Sequence, residues 1–83
     1  MADIPDERTV AEIWSGVIGL EQVAPQDNFF DLGGNSILAA RVSAHFAARF
    51  GVDPVDGFEA LFDADDLTHT VELLRAATGR TGQ

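Results

Sequence analysis

The amino-acid sequence predicts an all-α fold, a small four-helix bundle with three main helices, one short helix and a long loop between the first and second helices. Apolar residues recur at helical spacing along most of the chain, and no stretch shows the alternation of a half-buried strand. With 83 residues, the chain is long enough for one compact core only. We therefore expect residues 1–83 to form a single domain.

The first helix is predicted over about residues 6–18. Five apolar residues follow the spacing of a helix with one buried face: Val10, Ile13, Trp14, Val17 and Ile18. Asp6 and Glu7 lie near its start, where the helix dipole favours negative charge. Gly19 marks its end. Because Trp14 belongs to the apolar stripe, we expect it in the core.

A long connection follows from Gly19 to Asn35. Pro25, the polar cluster at 26–28 and the glycine pair at 33–34 are typical of turns. Connections longer than about 12–15 residues are uncommon in compact domains unless their own side chains hold them in place. Four apolar residues are available for this: Val23, Phe29, Phe30 and Leu32. The sequence therefore predicts an ordered loop, with at least one of the two phenylalanines in the core.

The second helix is predicted over about residues 36–50. Its apolar stripe consists of Leu38, Val42, Phe46 and Phe50. Gly51 is a natural end for it, and Pro54 prevents the helix from resuming.

A short helix over about residues 57–62 and a last helix over about 66–77 complete the prediction. Phe58, Leu61 and Phe62 fit the short helix, and Leu67, Val71 and Leu74 form the stripe of the last one. The acidic residues at 63, 65 and 66 are N-cap candidates, and they lack the glycine and distal glutamate of a calcium loop. Residues 78–83 are predicted to be a flexible tail.

The composition excludes several functions. The net charge is −9, with fourteen acidic residues against five arginines and no lysine, so nucleic acid is not an expected partner. Cysteine is absent, which excludes disulfides and thiolate metal ligands. No apolar run approaches the roughly 20 residues that cross a bilayer, and the acidic N-terminus is unlike a signal peptide. We expect a cytoplasmic monomer that has no membrane segment and no metal site.

Ser36 lies where the loop meets the second helix, and its hydroxyl has three possible roles. It can cap the helix, because serine is a favoured N-cap residue. It can act as a nucleophile, although a G-x-S-x-G elbow is missing and His45 lies about 13 Å further along the helix. It can be a point of covalent attachment, since a helix N-terminus tolerates a phosphodiester and the preceding glycines leave space for a modifying enzyme. Capping and attachment are compatible, and composition does not separate them.

The run DNFFDLGGNSI at residues 27–37 resembles the phosphopantetheine attachment motif of carrier proteins, in particular the peptidyl carrier proteins of nonribosomal peptide synthesis. The family pattern reads roughly D-x-F-F-x-L-G-G-[H/D]-S-[L/I]. The chain matches it at Asp27, Phe29, Phe30, Leu32, Gly33, Gly34, Ser36 and Ile37. The resemblance covers nearly the whole chain, because the family's fold is also a small bundle with a long first loop and a short third helix.

The resemblance implies a carrier that catalyses nothing itself. A phosphopantetheinyl transferase, using coenzyme A and magnesium, would attach 4′-phosphopantetheine to Ser36. The thiol of this arm would carry an aminoacyl or related acyl group as a thioester between an adenylation enzyme and condensation, tailoring or thioesterase enzymes. The residues that we expect these partners to recognise lie around Ser36: Phe30, Leu32, Gly33, Gly34, Asn35, Ile37, Arg41 and Phe58.

The chain departs from the family pattern at two places. Asn35 replaces the usual His or Asp, and it keeps a short polar side chain suited to a position before a helix. Asp65-Asp66 stands where the family often has Pro-Thr, and aspartate is an adequate cap. Because the chain begins and ends close to its outer helices, we expect a free-standing carrier, although an excised domain of a larger protein would look the same.

The charge of the second helix distinguishes between kinds of carrier. No acidic residue occurs between Leu32 and Val52, whereas Arg41, His45 and Arg49 all lie there. Fatty-acid carriers and many polyketide carriers resemble one another in having an acidic second helix. A peptidyl or aminoacyl carrier is therefore favoured, an acyl carrier of polyketide or fatty-acid type is the alternative, and an unmodified helical interaction module is a more distant one.

Overall fold

The computed structural model describes residues 3–81 and contains four helices. They are α1 (Glu7–Ile18), α2 (Ser36–Phe50), α3 (Pro54–Asp63) and α4 (Leu67–Thr81). No strand occurs among the described residues, so the predicted all-α class and small helical bundle are confirmed. In the same part of the chain, no helix has the length and apolar character needed to cross a membrane.

The boundaries of α1 and α2 follow from the residues that flank them. Asp6 precedes α1 in an extended conformation, and its Oδ1 accepts a hydrogen bond of 2.8 Å from the Thr9 N–H. Gly19 and Gly51 follow the two helices with φ angles of 92° and 70°, and each donates its N–H to the carbonyl four residues earlier. Glycine adopts this left-handed conformation without a steric penalty, so both helices end at the glycines that the sequence indicates.

The last two helices are longer than the sequence predicts. α3 begins at Pro54 instead of about residue 57, because Asp53 Oδ1 accepts the Val55 N–H and proline is well tolerated in a first helical turn. Pro54 therefore starts a helix. α4 continues to Thr81, so residues 78–81 of the expected tail are helical, whereas residues 82 and 83 lie outside the described residues. Ala77 is buried against the core, and extending an existing helix beyond it costs little.

One core joins all four helices and the long loop. Its members are Val10, Ile13, Trp14, Phe29, Ala39, Val42, Phe46, Phe50, Val52, Ala60, Leu61, Leu67, Val71, Leu74 and Ala77. Trp14 is fully buried, as expected. In α3, Gly57 packs against Phe46 in the middle of α2, and Phe62 reaches Phe30 in the loop. α3 therefore runs back along α2 toward the end of the bundle where α2 begins.

Loop 19–35 is held to the start of α4 by backbone hydrogen bonds. The Leu67 N–H donates to the Asp27 carbonyl at 2.9 Å, and the Thr68 N–H donates to the Pro25 carbonyl at 3.2 Å. The first N–H groups of a helix have no partner within the helix, so the loop supplies acceptors that α4 would otherwise lack. The ordered loop expected from the sequence is present.

Replacing Asp6 by alanine is expected to lower the free energy of unfolding at neutral pH by about 1 kcal/mol, because α1 loses its N-cap hydrogen bond. Hydrogen bonds from Thr9, chiefly from its backbone N–H, hold the pKa of Asp6 below its ordinary value of 3.8. The folded-state pKa is thus below the unfolded one, so the stabilisation is complete above the unfolded value and disappears as the pH falls through the folded value.

Urea unfolding of the wild type and of Asp6→Ala, at neutral pH and at a pH well below 3.8, measures this effect. The difference between the two proteins should shrink in acid. Asp6→Asn is the control, since asparagine keeps the cap but does not titrate. A constant difference at both pH values would show that the charge of Asp6 does not contribute.

Candidate functional site

Ser36 is the first residue of α2, and its side chain is exposed. Within residues 3–81, no hydrogen bond involves its hydroxyl. The unpaired N–H groups of the first turn and the helix dipole together place partial positive charge at this end of α2. A negatively charged group esterified to the Ser36 oxygen would therefore be stabilised here.

Asn35, not Ser36, caps α2. Its Oδ1 accepts the Leu38 N–H at 2.9 Å, and its carbonyl accepts the Ala39 N–H at 2.8 Å. The interpretation of Ser36 as the helix cap is therefore wrong, since Ser36 already lies inside the helix. The signal was present in the sequence, because asparagine is at least as favourable as serine at this position. The cap contributed by Asn35 leaves the Ser36 hydroxyl available.

Gly34 and Phe29 fix the backbone that leads to Ser36. The Gly34 N–H donates to the Phe29 carbonyl at 3.1 Å, and a Cβ atom on Gly34 would lie 2.5 Å from Cδ2 of the Phe29 ring. Gly33 has a φ angle of 106°, which favours glycine. The Phe29 ring is 1% exposed and meets Trp14 edge-on, with ring centroids 5.3 Å apart. The glycine pair thus joins the loop to the core immediately before the site.

Asn28 organises the turn that contains the phenylalanines. Its Oδ1 accepts the N–H groups of Phe30, at 2.9 Å, and of Asp31, at 3.1 Å. Its Nδ2 donates to the Asp65 carbonyl at 3.0 Å. Asn28 was not among the site residues predicted from the sequence, although asparagine in a turn cluster commonly bonds to nearby backbone in this way. Its bond to Asp65, 37 residues away, has no signal in the sequence.

Phe62 connects the aromatic residues expected to contact partners. The Phe30 ring centroid lies 4.7 Å from that of Phe62, which lies 4.8 Å from that of Phe58. Phe62 is 49% exposed, whereas Phe30, Leu32 and Phe58 are partly buried against the core. Phe62 was not among the site residues predicted from the sequence. Its position four residues after Phe58 was the one available signal.

Ile37 and Arg41 extend the exposed surface along α2. Ile37, which is not part of the apolar stripe of α2, is 70% exposed. Arg41 is exposed one turn further along the same face and pairs with no described residue. Their part in partner recognition stays a prediction.

Ser36 has no hydrogen-bonded base within the described part of the chain. His69 Nδ1 accepts the Asp65 N–H at 3.1 Å, and His45 lines a groove between α1 and α2. Serine nucleophiles require a base within hydrogen-bond reach, so the geometry is that of a presented hydroxyl. Residues 3–81 also contain no cluster of three or more histidine or acidic side chains that could hold a metal ion.

A small helical bundle whose long first loop delivers an exposed serine hydroxyl to the start of the second helix has the architecture of a carrier domain. The chain belongs to the family described as phosphopantetheine attachment site, which matches residues 8–74. The family's cofactor is 4′-phosphopantetheine, held covalently, and the free hydroxyl at the positive end of α2 fits it. Domains of this family are non-catalytic carriers that work with modifying enzymes and synthetases.

The chain is similar to segments of much longer proteins. It is 47% identical over 49 residues to phosphinothricin tripeptide synthetase PhsB of Streptomyces viridochromogenes, and the matched segment covers 59% of the chain and 4% of that protein. It is 33% identical over 76 residues to chondramide synthase cmdD of Chondromyces crocatus, and the matched segment covers 92% of the chain and 2% of that protein. It is 33% identical over 81 residues to the hybrid PKS-NRPS synthetase prlS of a fungal species, and the matched segment covers 95% of the chain and 2% of that protein. The chain therefore spans 2–4% of the length of these relatives.

Replacing Gly34 by alanine is expected to lower the free energy of unfolding by about 1–3 kcal/mol, because the new methyl group overpacks the contact with Phe29. Gly16→Ala in α1 is the matched control. A Cβ atom there has no neighbour within 4 Å, and alanine should raise stability since it favours a helix over glycine by roughly 1 kcal/mol. Chemical denaturation measures both variants. A Gly34→Ala protein as stable as Gly16→Ala would contradict the close approach of Gly34 to Phe29.

Proposed function

We propose that this chain is a peptidyl or aminoacyl carrier protein of nonribosomal peptide or hybrid natural-product biosynthesis, and that Ser36 is its attachment residue for 4′-phosphopantetheine. One observation carries the proposal. The Ser36 hydroxyl is exposed, has no hydrogen-bond partner among the described residues, and begins α2 inside the segment that the family matches. Cytoplasm, where coenzyme A is available, is the compartment that we propose for it.

A phosphopantetheinyl transferase would join the phosphopantetheinyl group of coenzyme A to the Ser36 oxygen. The hydroxyl loses its proton, a phosphodiester bond forms, and adenosine 3′,5′-bisphosphate leaves. The chain contributes position and charge. Asn35 satisfies the first turn of α2 in place of the hydroxyl, the glycines at 33 and 34 place no side chain beside it, and the helix N-terminus stabilises the phosphodiester.

The attached arm supplies a thiol, which carries an aminoacyl or related acyl group as a thioester. An adenylation enzyme would load this group, and condensation, tailoring or thioesterase enzymes would act on it next. Two observations support a peptidyl carrier. Relatives of the chain are named as peptide or PKS-NRPS synthetases, and α2 carries no acidic residue. The second observation disfavours the alternative of a fatty-acyl carrier.

Incubation with a phosphopantetheinyl transferase, coenzyme A and magnesium should increase the mass of the intact protein by one phosphopantetheinyl group. Ser36→Ala should show no gain, because the acceptor oxygen is missing. Ser15→Ala is the matched control, since the Ser15 hydroxyl donates to the Glu12 carbonyl within α1, and it should gain the same mass as the wild type. A gain in Ser36→Ala would place the attachment elsewhere, and no gain in any of the three would favour an unmodified interaction module.

Replacing Ile37 by aspartate should lower kcat/KM for aminoacyl loading by about tenfold or more, since burying a side chain of this size in an interface contributes roughly 1.5–3 kcal/mol. Circular dichroism should show unchanged helicity, because Ile37 is 70% exposed.

Val55→Asp is the control for this variant. Val55 is 63% exposed at the start of α3, near the opposite end of α2 from Ser36. The Val55→Asp protein should therefore be loaded at the same rate as the wild type. Radioactive amino-acid transfer to the phosphopantetheinylated proteins measures the rates. Unchanged loading of Ile37→Asp would remove Ile37 from the recognition surface.

A further inference from the structure

A groove between α1 and α2 lies apart from Ser36. It encloses about 340 Å³ and is lined by Glu12, Ile13, Gly16, Val17, His45 and Arg49. Its lining includes the apolar side chains of Ile13 and Val17, and a Cβ atom on Gly16 would meet nothing within 4 Å. His45 and Arg49 follow Ser36 by nine and thirteen residues, which places them roughly 13 and 20 Å along α2. A molecule in this groove would therefore leave the Ser36 hydroxyl uncovered.

One rim of the groove continues into a basic row, which consists of Arg41, His45 and Arg49. These residues recur every four positions on the exposed side of α2, in a stretch without acidic residues. The side chains of Arg41 and His45 form no hydrogen bond or ion pair with a described residue. Arg49 pairs with Asp3 through an Nε–Oδ2 distance of 3.2 Å. The row thus presents an unpaired guanidinium and an imidazole at the surface.

The remaining surroundings favour the approach of a helix. Ala44 and Ala48 are exposed on α2 beside the basic row, and small side chains allow two helices to pack closely. Glu12 is the one carboxylate among the groove's lining residues, and Arg8 lies 3.6 Å from it in the preceding turn of α1. Its charge is therefore partly offset.

We propose that the groove and the basic row form a docking site for an acidic amphipathic helix of a partner protein. Apolar side chains of this helix would enter the groove over Gly16, and carboxylates four residues apart would meet Arg41 and His45. A single helix in the groove meets the basic row and one lining carboxylate, Glu12, whose charge Arg8 partly offsets. An extended polyanion or an anionic membrane would also face the fourteen acidic residues elsewhere on the chain. Arg41 is also among the residues expected to contact partners around Ser36, but docking in the groove does not require modification of that serine.

Fluorescence anisotropy with a labelled helical peptide tests the proposal. The probe carries leucines on one face and glutamates at i, i+4 and i+8 beside them, and a second probe has lysines in place of the glutamates. The full chain should bind the glutamate peptide and not the lysine peptide, and the affinity should fall as the salt concentration rises.

Two variants separate the contributions of charge and groove. Arg41→Gln/His45→Gln should weaken binding of the glutamate peptide by about tenfold or more. Gly16→Leu should weaken it similarly, because the leucine fills the groove without changing any charge. Gln26→Glu is the control, since it also makes the formal charge one unit more negative but lies on the exposed loop, and it should bind like the wild type.

Several results would overturn the docking site: absence of binding by the glutamate peptide, equal binding of the lysine peptide, or equal binding to Arg41→Gln/His45→Gln. Binding to phosphatidylserine vesicles that the same double variant abolishes would assign the basic row to lipid instead. Ser36→Ala should bind the glutamate peptide with unchanged affinity, so this experiment tests the docking site independently of attachment at Ser36. If Gly16→Leu fails to fold, the double variant, which changes exposed residues only, decides the outcome.

Discussion

The Phe29 ring fills the space that the missing side chain of Gly34 leaves open, and the position of the Ser36 hydroxyl depends on this contact. The ring is buried against Trp14 of α1, so the loop is attached to the core before α2 begins. The hydrogen bond from Gly34 to the Phe29 carbonyl then turns the chain toward Asn35. Because Asn35 caps α2, the next residue is already helical, and its hydroxyl faces solvent at the positive end of the helix dipole.

The same loop also determines where α4 starts. Carbonyls of Pro25 and Asp27 accept the N–H groups of Thr68 and Leu67, and Asp66 Oδ1 accepts the His69 N–H at 2.8 Å. A 17-residue connection would cost much conformational entropy if it served as a linker alone. Here its backbone satisfies one helix end while its last residues begin another. Loop order and bundle packing therefore support each other.

Charge divides the surface of this acidic chain into two regions. α2 carries Arg41, His45 and Arg49 without any acidic residue, whereas α1, α3 and α4 all contain acidic residues. At physiological ionic strength a charge acts over about 8 Å, so a partner on α2 experiences the local basic row more than the net charge of −9. The proposed attachment residue, Ser36, lies at the start of α2, whereas the groove of the proposed docking site lies further along the same helix, at His45 and Arg49.

Local patterns in the amino-acid sequence were enough to predict the four helices, the glycine ends of α1 and α2, the burial of Trp14 and the position of Ser36 at a helix start, because helical spacing and capping act between residues a few positions apart. Three other features emerged from the folded chain. Pro54 begins α3 because Asp53 caps it, Phe62 lies exposed against Phe30, and the loop caps α4 through Asp27. The last two depend on contacts between residues far apart in the chain, which no local pattern specifies. The position of Ser36, the proposed attachment residue, at the start of α2 could therefore be predicted from the sequence, whereas the surface around it could not.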